Sequence, residues 1–135
     1  MCKTNYQLKL SYNLYNNANY YYIMKTELFE HESIIYTILV GKNKEDNFKI
    51  IDDSLDTYIW FHIKDEPSCH VILKNTDNLR SIPKQVIKHC AYLCKINSKS
   101  KTQKICFVIY TPLYNVIKTE IVGKVSVSTY KTIKI

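Results

Sequence analysis

Apolar and polar positions alternate along most of this chain, and two stretches depart from that rhythm into helical spacing. Ile34–Val40 is rich in β-branched residues and follows a β-prone stretch, Tyr20–Phe29, across the polar break Glu30–Ser33, which predicts a hairpin. Leu8, Leu10 and Tyr12 alternate within an Asn- and Tyr-rich extension, residues 1–18, that reads as either an edge strand or disorder. Gly41 closes the Ile34–Val40 strand, where a positive φ would let the chain turn sharply. Lys44–Leu55 then places Phe48, Ile51 and Leu55 at helical spacing. Glu45 and Asp46 fall in its first turn, where the helix dipole favours acids.

A second hairpin follows from Tyr58–Ile63 and Ser68–Lys74, joined by Lys64-Asp65-Glu66-Pro67. Period-2 geometry sends Ile59, Phe61, Ile63, Cys69, Val71 and Leu73 to the core. It sends Trp60, His62, Ser68, His70 and Lys74 to the opposite face. Ser81 is expected to cap a second helix with Pro83 in its first turn. Its buried stripe is Val86, Ile87, Cys90, Ala91, Leu93 and Cys94, with Lys84, Lys88 and Lys95 turned outward. Ile105–Tyr110 reads as a central strand ended by Thr111-Pro112, and a looser stretch carries Asn115 and Lys118. Val125–Ile135 gives one or two final strands. The pattern predicts an α+β single domain over residues 19–135, a mostly antiparallel sheet of β-hairpins with two helices, about 44–55 and 83–96.

At 135 residues the chain can bury roughly two-thirds of its unfolded surface, enough for one core. No apolar run approaches the ~20 residues of a membrane span, and the first residues lack signal-peptide order. A monomer in the cytoplasm is expected, or in the host cytoplasm if the source is viral. Five cysteines lack any paired C-x-x-C spacing and read as free thiols. Cys90 and Cys94 could share a zinc, but no second ligand pair exists, so no metal and no cofactor are expected.

Eighteen lysines face one arginine, and Ile, Asn and Tyr abound. That bias fits an A/T-rich source such as a large DNA virus or a parasite, and it discounts the lysine total. Charge placement says more. Residues 1–80 carry nine basic and eleven acidic side chains, whereas residues 81–135 carry ten basic and one acidic, Glu120. A basic half so depleted of acids suggests a face offered to phosphates, against the alternative of a merely solvated lysine surface.

The chain resembles the NFACT-R family over about residues 20–135, with the telling motifs beginning at Gly41. The matching residues are Gly41-Lys42-Asn43 with Asn47, then YIWFHIKDEPSCHVIL of Tyr58–Leu73, and IPKQVI of Ile82–Ile87. Cys90-Ala91, Tyr110–Pro112, Asn115-Val116, Lys118 and Gly123 follow in the same order. Pro67-Ser68-Cys69 stands where that family commonly has Pro-Gly-Ser, and a usual glycine between Lys118 and Gly123 is missing. Most alike in architecture are the small stand-alone eukaryotic members, whose charged coiled coil does not follow Ile135 here. The resemblance implies a non-catalytic nucleic-acid-binding module, with tRNA or ribosomal RNA as partner, related to ribosome-associated quality control.

Three uses remain open for His62 and His70: a binding surface, hydrogen-bonded structural rings, or an acid–base pair for RNA cleavage. Trp60 either stacks on a base or packs. Lys42 and Asn43, entering a helix, could form a phosphate site with its backbone amides. The candidate nucleic-acid contacts are thus Lys42, Asn43, Trp60, His62, Ser68, His70, Lys74, Lys84, Lys88, Lys95 and Lys118. The competing class is a protein-interaction adaptor whose basic surface meets an acidic or membrane-peripheral partner.

Overall fold

A computed structural model describes residues 2–4, 25–75 and 77–135. The expected strand near Leu8–Tyr12 lies outside them, although β1 (Cys2–Thr4) pairs antiparallel with β2 (Lys25–His31). The chain continues through β3 (Ile34–Val40), α1 (Lys44–Asp52), β4 (Ile59–Ile63), β5 (Val71–Lys74) and α2 (Lys84–Ile96). It closes with β6 (Phe107–Pro112), β7 (Val116–Lys118), β8 (Val125–Val127) and β9 (Lys131–Lys134). Seven strands form one antiparallel sheet in the order β1-β2-β3-β5-β4-β6-β9, while β7 and β8 pair separately. The α+β architecture of hairpins and two helices is the expected one.

Both faces of the sheet are covered. On one, Ile59, Phe61, Ile63, Val71 and Leu73 pack under α2, whose stripe Val86, Ile87, Cys90, Ala91, Leu93 and Cys94 is buried as its spacing predicts. Phe61 opposite Val71 sets that register. On the other face Trp60 and Ile72 join Leu39, Ile109, Leu113 and Ile50 of α1 in a second core. Alternation in β4 therefore separates two cores, not a core from solvent.

Several local expectations change. The β2–β3 turn is two residues, Glu32 and Ser33, both at positive φ, so β2 runs on through Glu30 and His31. α1 stops at Asp52 and leaves Leu55 exposed, with Ile50 buried instead. Ser81 sits in a short 3-10 turn and donates to Asn78 O; α2 starts after Pro83 with no side-chain cap. β6 includes Thr111 and Pro112, and the stretch around Lys118 is a strand. Gly41 has no positive φ; its need is space, because a Cβ there would lie 2.0 Å from Asn47 Oδ1.

Cys69, Cys90, Cys94 and Cys106 are free thiols, and burial above all pushes Cys94 well up, which keeps it protonated and inert. Among the described residues no cluster of His, Cys, Asp and Glu is placed to hold a metal, and no helix is long and apolar enough to cross a membrane.

Candidate nucleic-acid interface

His70 is the hub of one end of the sheet. Its side chain is 1% exposed. Trp60 Nε1–H donates to its Nδ1 at 3.1 Å, which leaves the proton on Nε2, and the Gly123 backbone also interacts with the ring. The His70 backbone N–H donates to Asn47 Oδ1 at 3.0 Å, and its carbonyl accepts from Gly41 N–H at 2.9 Å. These bonds join β3, α1, β4, β5 and the β7–β8 turn at one residue. The two glycines of the chain make the approach possible. Gly41 admits Asn47, and Gly123, at φ +84, passes so near α1 that a Cβ would lie 2.5 Å from Lys44 Cβ. Burial first, then the neighbouring His62 ring, lowers the His70 pKa to about 3, so the ring is neutral.

His62 lies beside this hub and is half-buried. Its ring stacks on Trp60 (centroids 5.5 Å apart, planes at 12°) and meets the edge of His70 at 5.2 Å. Nδ1–H donates to the Ile63 carbonyl at 2.6 Å, and burial lowers its pKa. Ser68 holds the hairpin end: its hydroxyl accepts from Ile63 N–H and donates to Cys69 O. Glu66 accepts from Ser100 Oγ at 2.6 Å, tying that hairpin to the loop after α2.

These elements wall a cleft of about 1170 Å³. Its lining brings together Lys42, Asn43, Trp60, His62, Ser68 and His70 from the sequence-derived set. It adds Lys25, Lys44, Lys99, Lys101 and Lys124, against two acids, Asp65 and Glu66. Lys25 pairs with Glu27, whereas Lys42, Lys44, Lys99, Lys101 and Lys124 are exposed and form no ion pair with a described residue. Sequence reasoning missed the cleft role of Lys44, Lys99, Lys101 and Lys124. The polar, basic loop 97–104 was the available signal, but nothing local said that it folds back beside His62.

Three expectations about this site are corrected by burial and hydrogen bonding. Trp60, 1% exposed, packs in the second core and presents no face for stacking. His70 is a structural ring; it cannot reach a bound nucleic acid, nor work with His62 as an acid–base pair. Two amides at the start of α1 are already engaged, since Asn43 Oδ1 accepts from Asp46 N–H and Asp46 Oδ2 from Lys42 N–H. With Glu45 and Asp46 in that turn, the helix end offers an anion little, and the Lys42 side chain is what remains.

The other candidates stand apart from the cleft. Lys74 is exposed at the far end of β5, roughly 13 Å along the strand from His70. Lys84 and Lys88 are exposed on α2, and Lys95 is half-buried in its last turn. Lys118 pairs with Asp52 and sits 5.3 Å over the Phe48 ring, clamping β7 to α1.

A family profile described as the NFACT protein RNA binding domain matches residues 19–129. Coiled-coil domain-containing protein 25 of Bos taurus and of Mus musculus is 36% identical over 108 residues, covering 76% of this chain and 52% of the relative. Protein JLP2 of Saccharomyces cerevisiae is 34% identical over 99 residues, covering 69% of this chain and 48% of its own. The chain spans about half the length of these relatives. Among solved structures, the C-terminal of the fibronectin/fibrinogen-binding protein from Streptococcus suis is similar with a TM-score of 0.72 at 26% identity. That match covers 83% of this chain and 44% of the other.

Proposed function

We propose, from the premise that this chain belongs to the NFACT protein RNA-binding domain family, that it binds RNA without cleaving it and grips phosphates at the lysine-rimmed cleft. The observation that carries this reading is the convergence of Lys42, Lys44, Lys99, Lys101 and Lys124, which come from three separate segments, around one recess. Like charges repel, so gathering five of them without carboxylate partners stabilises nothing in the free protein; polyphosphate is the ligand chemistry that uses them. Burial of His70 favours binding over cleavage, because a two-histidine mechanism needs both rings at the substrate. The finer form of the proposal is cytoplasmic action beside tRNA or the large ribosomal subunit.

Anisotropy of labelled tRNA over a salt series tests it. Each phosphate held by a lysine contributes roughly 0.7–0.9 to the slope of log affinity against log salt, so engagement of all of these lysines gives a slope of about −4. A flat response would remove the polyphosphate reading. A protein partner is the second reading, favoured by the similar solved chain, which belongs to a fibronectin/fibrinogen-binding protein. A partner that unlabelled tRNA fails to displace would support it.

A further inference from the structure

We propose that the cleft accepts an unpaired nucleotide, whose base stacks on the imidazole of His62. The inference deepens the RNA-binding reading and rests on it. Three neighbours hold the His62 ring in place: Trp60 stacked at 5.5 Å, the His70 edge at 5.2 Å, and the Ile63 carbonyl that accepts from Nδ1–H. Trp60 covers one face of the ring, so a ligand in the cleft meets the other. The hydrogen bond that His62 makes with its ring uses Nδ1, so Nε2 remains an acceptor for a base or ribose hydroxyl group. A lowered pKa agrees with a neutral ring, which stacks without the hydration an imidazolium would keep.

The surroundings suit a base together with its phosphate. Half-buried Val125 and Val127 and exposed Pro67 and Val122 line the cleft together with His62, and the unpaired lysines are exposed in the same lining. That mixture of apolar, aromatic and cationic groups matches single-stranded recognition, where bases stack and the backbone follows positive charge. A paired base in an A-form helix has both faces already stacked and its edge engaged, so it offers His62 nothing. At about 1170 Å³ the cleft exceeds the roughly 300–1,000 Å³ of ordinary small-molecule pockets, leaving room for a nucleotide and part of its neighbour.

The test compares three labelled probes of equal phosphate number on the unaltered protein: an unpaired RNA, a blunt RNA duplex, and an abasic strand. Unpaired RNA is expected to bind roughly tenfold more tightly than the abasic strand, about 1.4 kcal/mol of base stacking. The duplex should bind no better than the abasic strand. Unpaired RNA should also change the fluorescence of Trp60, the single tryptophan, through the ring it touches. His62→Ala should abolish the preference for bases, and His62→Phe, which keeps a stacking face, should retain most of it. Equal, salt-dependent binding of all three probes would overturn the stacked base while leaving phosphate binding intact. No salt-dependent binding to any probe would overturn both. If His62→Ala fails to fold, the abasic comparison still decides.

Discussion

Replacing His70 by alanine is expected to lower the melting temperature by about 10 °C. The substitution strands the Trp60 indole N–H inside the second core, removes the ring's interaction with the Gly123 backbone, and opens a cavity where these groups meet. A stranded buried donor alone costs roughly 1–3 kcal/mol, and the cavity adds to it. For a domain of this size each kcal/mol is worth roughly 3–5 °C. The same ring gives a pH signature. Its folded pKa of about 3 lies below its ordinary 6.5, so its contribution is fully present above pH 6.5 and is lost as pH falls toward 3. Across that window the unfolded chain binds about one more proton at this site. Stability should therefore fall by up to about 1.4 kcal/mol per pH unit on this account. Denaturant unfolding at several pH values checks it: a His70→Gln variant should show a slope smaller by about one proton. An unchanged slope and an unchanged melting point would mean that His70 does not organise this end of the sheet.

The second large effect concerns binding. Lys42→Glu, Lys99→Glu and Lys101→Glu together are expected to weaken RNA affinity on the order of 100-fold at physiological salt, roughly 1 kcal/mol for each phosphate no longer gripped. The salt slope should flatten by about 2 to 3 at the same time. All three side chains are exposed and unpaired among the described residues, so the fold should be unaffected. Lys84→Glu with Lys88→Glu, on the exposed face of α2, serves as the comparison and should cost less than tenfold. If the two variants lose affinity equally, the basic charge acts as a general field and the cleft has no special part.

Much of this architecture was legible from the sequence, because alternation and helical spacing are local. Ile59, Phe61 and Ile63 against Val71 and Leu73, and the stripe from Val86 to Cys94, needed only the periods of a strand and a helix. What failed depended on distant parts of the chain. Trp60 and His70 belong to the face opposite the first core, as alternation requires, yet α1 covers that face as well. Nothing within β4 or β5 records the arrival of α1. Gly41 illustrates the same limit, since its role is set by Asn47 reaching His70 and not by its own backbone angle. Lys99 and Lys101 reach the cleft because Ser100 meets Glu66 and brings their loop to the hairpin, a contact no local pattern records. Charge asymmetry pointed to the basic half, but Lys42 and Lys44, in the acidic half, join the cleft.

Whether RNA sits in the cleft is decided by photo-crosslinking the intact protein to thiouridine-bearing RNA and mapping the attached peptides by mass spectrometry. Crosslinks are expected on the segments lining the cleft: around Lys42, around His62, across Lys99–Lys101, and over residues 122–127. Crosslinks confined to the Lys84–Lys88 face of α2, with the cleft segments unmarked, would contradict RNA binding at the cleft.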